Sequence, residues 1–173
     1  MVSNAMVVSL ITRATPEQYG AVYRAHLEPL LRFAWVLCGD QHQAEDVVAE
    51  AFARVFTQWR RGKVSQPYAY LRRAVLNEVT SRGRRRVLEV REEHRRLGYG
   101  RVDRPLDDVV AERDVVVQAL RRLPLRQRAV LVLRFYDDLP EREVANILGL
   151  SVGTVKSHTA RGLERLRTEL EER

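Results

Sequence analysis

The sequence predicts an all-α protein of two small helical domains joined by a linker, the second of them a helix-turn-helix. Three observations carry that reading. Apolar residues recur at three- and four-residue spacing over two long stretches. No strand-type alternation runs for more than a few residues. Between the two stretches the pattern lapses in a charged segment that contains Gly98, Gly100 and Pro105. The division that follows is an N-terminal extension at 1–15, a first domain at 16–86, a linker at 87–108 and a second domain at 109–173. Within the extension, Ser3-Asn4-Ala5-Met6 reads as a cloning remnant ahead of a second start. With 173 residues and 45% hydrophobic content the chain can bury genuine cores. A polar linker leaves the two domains free to move relative to one another.

The first helix opens near Pro16 and carries Tyr19, Val22, Tyr23, His26, Leu27, Leu30, Leu31 and Ala34 as an apolar stripe, with Gly39-Asp40 as a stop. A second helix runs from about Gln43 to Trp59. Val48, Phe52, Val55, Phe56 and Trp59 share its buried face, and Asp46, Glu50, Ala53 and Thr57 lie opposite. A third starts near Pro67, a residue suited to a first turn, and runs to about Arg86. Tyr68, Leu71, Val75 and Val79 form its core side, while Arg73, Asn77, Thr80 and Arg84 form a contiguous outer face. The cations Arg82, Arg84, Arg85 and Arg86 at its end repel one another, so an anionic partner relieves a cost there.

The stretch Leu123 to Leu166 reads as a helix, a short helix, a tight turn and a longer helix. Val130-Leu131-Val132-Leu133 continues a helical pattern through its flanks. Val144, Ala145 and Leu148 recur at helical spacing, Gly149 supplies a helix stop, and Ser151 can cap the next helix. That last helix carries Val155, Thr159, Leu163, Leu166 and Leu170 on a face expected to pack inward. Thr154, Ser157, His158, Arg161 and Arg165 lie opposite, and Lys156 sits beside the buried face. Such a pair of helices is built to enter a DNA major groove, where an arginine fork binds guanine and short hydroxyls reach bases or phosphates. An amphipathic helix with a merely solvated face is the bland alternative for the last helix taken alone.

Charge points the same way, since a net +7 favours a polyanionic partner. Other classes fall away. Cys38 is the single cysteine, so no internal disulfide forms, and the N-terminal run is too short and weakly apolar for a signal peptide or membrane span, which makes cytoplasm the default. His26, Cys38 and His42 fit no zinc spacing, so neither metal nor cofactor is expected. Glu45, Asp46 and Glu50 have no histidine or nucleophile placed to work with them, and no glycine-rich phosphate loop occurs, so an enzyme is not expected.

Taken together, three blocks resemble the extracytoplasmic-function group of bacterial sigma factors, and the small actinobacterial sigma-E-like subfamily most of all. LRFAWVLCGDQHQAEDVVAE (Leu31 to Glu50) is similar to the family's polymerase-binding helix pair, and PYAYLRRAVLNEVTSRGRRR (Pro67 to Arg86) to its −10 element helix. Leu123 to Leu166, with GLSVGTVKSHTARGLERL, is similar to its −35 domain. The resemblance implies a protein that binds core RNA polymerase, brings it to promoter DNA and helps open the duplex. It implies that Glu45, Asp46 and Glu50 meet the clamp helices of the largest subunit, that the C-terminal domain grips the flap of the second-largest, and that an anti-sigma factor restrains the chain. The −35 set would be Thr154, Lys156, Ser157, His158, Arg161 and Arg165. The −10 set would be Arg60, Arg61, Lys63, Tyr70, Arg73, Asn77, Thr80, Arg84, Arg85 and Arg86, with Asn77 reading an unstacked base and Tyr70 stacking on single-stranded DNA.

The chain departs from the family pattern at Ala49, Ser81, Pro140 and His158. Pro140 removes a hydroxyl cap that Asp138 could replace. Two other classes compete. TVKSHTARGLERL also resembles the helix-turn-helix of response-regulator effectors, although no strand-helix alternation precedes it, and a helical adaptor would leave the cationic face without a purpose.

Overall fold

The computed structural model describes residues 15–61, 63–64, 67–97 and 115–172. The N-terminal extension before Thr15 and the linker from Gly98 to Asp108 lie outside them, as do Gly62, Ser65 and Gln66. Every regular element among the described residues is helical: α1 (Pro16–Cys38), α2 (Gln41–Arg60), α3 (Pro67–Leu97), α4 (Val115–Arg122), α5 (Leu125–Leu131), α6 (Glu141–Leu148) and α7 (Val152–Glu171), with a π-helical turn, Val132–Tyr136, extending α5.

The helix ends follow local chemistry. Thr15 and Gln18 form a reciprocal capping box at the start of α1, with Pro16 behind the cap. Asp40 caps α2 by accepting from the Gln43 amide at 2.7 Å. Ser151 caps α7 by accepting from the Thr154 amide at 3.1 Å. Gly39 and Gly149 end α1 and α6 in the left-handed region, at φ 85° and 65°, where a side chain is strained. Pro140 begins α6 with no side-chain cap, and Asp138, itself at φ 52°, does not substitute for one. Glu141 and Glu143 in the first turn offset the loss by complementing the helix dipole.

Helices α1 to α3 close around Leu30, Phe33, Val47, Val48, Leu71 and Val75, all buried. Tyr19, Tyr23, Phe52 and Phe56 cluster at one end of the α1–α2 seam, with ring centroids as near as 4.1 Å. The C-terminal half packs Val130 and Leu133 against Val144, Ile147 and Val155. Two expectations, one about a helix end and one about a helix face, need correction. Helix α3 does not stop near Arg86 but runs to Leu97, because VLEVREEHRRL contains no Gly or Pro before Gly98. On α7, Val155 and Gly162 are buried and Thr159 and Leu166 half-buried, but Leu163 and Leu170 are exposed. The inward stripe turns at Gly162, whose missing side chain lets Leu131 approach to 3.1 Å of where a Cβ would stand.

The two halves are not separate bodies as the polar linker suggested, for their apolar residues form one continuous core. Arginines stitch the junction. Arg72 of α3 is fully buried, stacked over the Phe33 and Tyr68 rings at 5.0 and 4.7 Å. Its Nε donates to the Tyr68 hydroxyl at 2.6 Å, and its guanidinium pairs with Asp137 of the C-terminal half. Asp137 is delivered there by the π turn, whose widened register has the Asp137 amide donating to the Val132 carbonyl. Burial pushes the Asp137 carboxyl up against the pull of Arg72. Such a pair fixes one arrangement of the halves more than it adds net stability, yet losing one member leaves a buried charge alone.

Asp137→Ala therefore costs about 3–5 kcal/mol of closed-state stability. A lower denaturation midpoint together with a larger radius of gyration in X-ray scattering is the expected result; an unchanged pair of values removes Arg72–Asp137 from this role.

Candidate nucleic-acid interface

Helix α7 presents its cationic face as the sequence predicts. Arg161 and Arg165 are exposed, and so is Ser157, whose hydroxyl donates to the Gly153 carbonyl at 3.0 Å. Thr154 is half-buried, with its hydroxyl 2.8 Å from that of Ser151. Lys156 is exposed, and its ammonium stands 3.8 Å from Glu141 of α6, an exposed ion pair of small worth that tethers the two helices of the motif. His158 is half-buried instead of lying on the open face, and its Nδ1 is buried with no hydrogen-bond partner among the described residues. Burial, with Arg126 and Arg161 nearby, pushes its pKa below the ordinary histidine value, so the ring is neutral near pH 7.

The outer face of α3 divides. Asn77 and Arg84 are exposed, Tyr70 is 42% exposed, and Arg60, Arg61 and Lys63 line the surface just before the helix. Tyr70, Arg73 and Asn77 meet across a cleft of about 200 Å3 whose far wall is Arg54 and Gln58 of α2. Thr80 turns its hydroxyl back to the Leu76 carbonyl at 2.7 Å and is half-buried. Arg73 is the larger departure from the predicted open face. Its Nε donates to the Ile147 carbonyl at 2.9 Å and a terminal nitrogen to the Asn146 carbonyl, so it caps the C-terminus of α6. Those carbonyls are among the last of α6, which the helix itself leaves without donors.

Glu45, Asp46 and Glu50 are all exposed on α2, forming an acidic face. This face is wired to the cationic end of α3 through a residue that the sequence did not mark. Glu78 is buried, and its carboxylate accepts from Arg54 at 2.8 Å and Arg82 at 3.0 Å, with Arg85 at 3.5 Å. Arg54 also holds Glu50 at 3.2 Å, and Arg82 stands 3.7 Å from Asp46. Burial works against ionisation of Glu78, but the hydrogen bond from Arg82 and the charges of Arg54, Arg82 and Arg85 outweigh it and hold the carboxyl below its ordinary range. Only the i, i+4 spacing of Glu78 and Arg82 hinted at this in the sequence.

A helix-turn-helix with an open cationic face, a basic helix end and an acidic helix face on one chain define a DNA-binding protein of the transcription class. Residues 22–88 match the family described as Sigma-70 region 2, and residues 113–166 that described as Sigma-70, region 4. The RNA polymerase sigma-E factor of Streptomyces coelicolor is 36% identical over 151 residues, covering 85% of this chain and 82% of that one. The sigma-E factor of Streptomyces avermitilis is 37% identical over 152 residues, covering 87% and 83%. The solved structure of the sigma factor RpoE of Bartonella quintana, crystallised with the anti-sigma factor NepR, shares the fold at a TM-score of 0.72 and 24% identity, covering 90% of this chain and 98% of that one. The chain belongs to the sigma-70 family, as an extracytoplasmic-function RNA polymerase sigma factor.

The depressed Glu78 carboxyl makes a signed prediction. A carboxyl with a lower pKa folded than unfolded contributes stability that is present above the unfolded pKa and lost as pH falls through the folded one. Glu78→Gln should cost about 1 kcal/mol at pH 7, because the arginines left behind are exposed enough to rehydrate. The difference from wild type should shrink below about pH 4. Urea denaturation at both pH values checks this, and a cost independent of pH would rule out the charge network as its source.

Proposed function

We propose that the three surfaces act in sequence during transcription initiation. The exposed acidic face at Glu45, Asp46 and Glu50 docks on the clamp helices of core polymerase. The α3 cleft of Tyr70 and Asn77, with Arg60, Arg61, Lys63, Arg73, Thr80, Arg84, Arg85 and Arg86 around it, takes the −10 strand. The α7 face of Thr154, Lys156, Ser157, Arg161 and Arg165 enters the −35 major groove, with neutral His158 at its edge. The division of labour follows an N-terminal unit from residue 16 that α3 carries on to Leu97 and a C-terminal unit within residues 109–173. The chain works by binding and positioning and catalyses no reaction of its own.

The observation that carries this reading is α7, whose arginines stand open while Val155 on the opposite face is fully buried. Two further partners are proposed. The flap of the second-largest subunit suits the apolar groove beside the exposed rings of Phe135 and Tyr136. An anti-sigma factor is proposed because RpoE of B. quintana was solved with one. No helix among the described residues is long and apolar enough to cross a membrane, and the cytoplasm, where polymerase and promoters are, is the proposed site of action.

The closed arrangement cannot be the promoter-bound one. Elements at −10 and −35 lie about 25 base pairs apart, or about 85 Å at ~3.4 Å per base pair. A compact chain of this length has a radius of gyration of only about 16 Å. Engaging both elements therefore requires the halves to part, which also frees Arg73 from α6.

Run-off transcription with purified core polymerase tests the whole reading: discrete transcripts that depend on the chain are expected, and neither core binding nor initiation would sink it in favour of a helix-turn-helix regulator. Arg161→Ala should weaken −35 binding by about 1–3 kcal/mol and relax preference at one base pair. Unchanged affinity and preference would take Arg161 off the contact face. Neutralising Arg84, Arg85 and Arg86 together should instead flatten the dependence of promoter affinity on salt by about one power per lost phosphate contact. An unaltered slope would leave that cluster a solvated helix end.

A further inference from the structure

Arg126 lies near the start of α5, outside the helix-turn-helix, yet it borders the same surface. It is exposed and makes no hydrogen bond, ion pair or ring contact among the described residues. Arg161 on α7 is exposed and free in the same way. The packing of α5 on α7 brings Arg126 to His158. Leu131 of α5 stands 3.1 Å from where a Cβ of Gly162 would be. Arg126 and His158 each lie about one turn before that contact on their own helix. Arg126, like Arg161, is close enough to repel a proton from the imidazole.

His158 supplies a directed donor. Burial and the two arginines keep its ring neutral near pH 7, so it carries one proton. Its Nδ1 is buried without a partner among the described residues, and Nε2 is not enclosed in this way. A proton on Nδ1 would be a buried donor with no acceptor, whereas on Nε2 it can be given to a ligand. The ring therefore offers a single N–H, at Nε2. The charges that act on it, Arg126 of α5 and Arg161 of α7, are both positive. The carboxylates of the other helices packed on α7 are engaged elsewhere. On α6, Glu141 stands 3.8 Å from Lys156 and Glu143 acts on Tyr68. At α4, Arg122 holds Glu169 of α7 at 2.9 Å.

From this arrangement we propose that Arg126 and His158 hold one backbone phosphate of the −35 duplex from beside α7, which leaves Arg161 free to reach a base edge. A phosphate oxygen accepts both from the arginine fork and from Nε2–H, and its charge relieves the repulsion between the two arginines. His158 is half-buried at the margin of the open face, where the backbone borders a groove, and not at its centre. A contact of this kind carries no sequence information but fixes the register in which α7 sits. The inference rests on the −35 reading of α7 and adds a contact from outside the helix-turn-helix.

A preferred duplex is recovered with the full chain by affinity selection from a randomised pool, and its binding is measured over a series of salt concentrations. Arg126→Gln should weaken affinity about tenfold without changing base preference, and should lower the slope of log affinity against log salt by about one. Arg126→Lys, which keeps the charge, should retain the slope. His158→Phe, a ring without the donor, should weaken binding about fivefold, and His158→Gln, which restores a neutral N–H, should recover most of the loss. A methylphosphonate scanned along both strands should reproduce the Arg126→Gln loss at one position and cost that variant nothing further there. Because the ring donates as a neutral group, affinity should be flat from about pH 6.5 to 8. Affinity that climbs with acid across that range overturns the neutral donor. Selective binding that survives Arg126→Gln with its slope unchanged overturns the phosphate contact alone. A pool that yields no preferred duplex overturns the −35 reading and this contact with it.

Discussion

The closed structure depends on guanidinium groups that end helices belonging to the other half of the molecule. A helix leaves its last carbonyls without donors and carries partial negative charge there. At the C-terminus of α1 the Val36 and Leu37 carbonyls accept from Arg128 of α5, and Arg121 of α4 lies over Gly39. At the C-terminus of α6 the Asn146 and Ile147 carbonyls accept from Arg73 of α3, which also lies over Gly149. The arrangement is reciprocal: each half lends an arginine to a helix end of the other. Both helix ends are glycine in the left-handed conformation, which lets the arginine approach the bare backbone. The buried Arg72–Asp137 pair is a third contact across the same junction.

The same design explains how a closed protein can open. The bonds across the junction go mainly to carbonyls and to one carboxylate, so water or DNA phosphate can replace those partners when the halves separate. The apolar part of the shared core has no such replacement, so in the proposed open form partner contacts would have to offset its exposure. Arg73 does both at once: it lines the Tyr70–Asn77 cleft while its guanidinium caps α6. The buried Glu78 adds a second coupling, because it holds Arg54 and Arg82 between the acidic face of α2 and the basic end of α3. A cationic partner that takes Asp46 and Glu50 withdraws competing carboxylates from those arginines.

Much of this was legible beforehand for a local reason. Periodicity placed Val48, Phe52 and Val55 inside and Asp46, Glu50 and Thr57 outside, and the structure agrees at each. Gly149 and Ser151 marked the turn of the helix-turn-helix because stops and caps are made by neighbours in the chain. The errors were of another kind. Spacing alone points Leu163 and Leu170 inward, whereas the close approach of Leu131 at Gly162 turns the buried stripe past them. Helical spacing puts His158 on the open face, yet it is half-buried near Arg126, a residue far away in sequence.

The sequence by itself determined the helices, their caps, the helix-turn-helix and the separation of acidic from basic faces, because each depends on side chains within one turn or two of one another. Only the tertiary structure decided what the arginines do. Arg72, Arg73, Arg84 and Arg128 are chemically identical in the sequence. One is buried against Asp137, one caps α6, one is exposed, and one stands by a cavity with its Nε unsatisfied among the described residues. A long flexible cation takes its role from the partner within reach, and that partner is 65 residues or more away for three of the four. No local pattern can report an interaction whose other member is fixed only when the chain has folded.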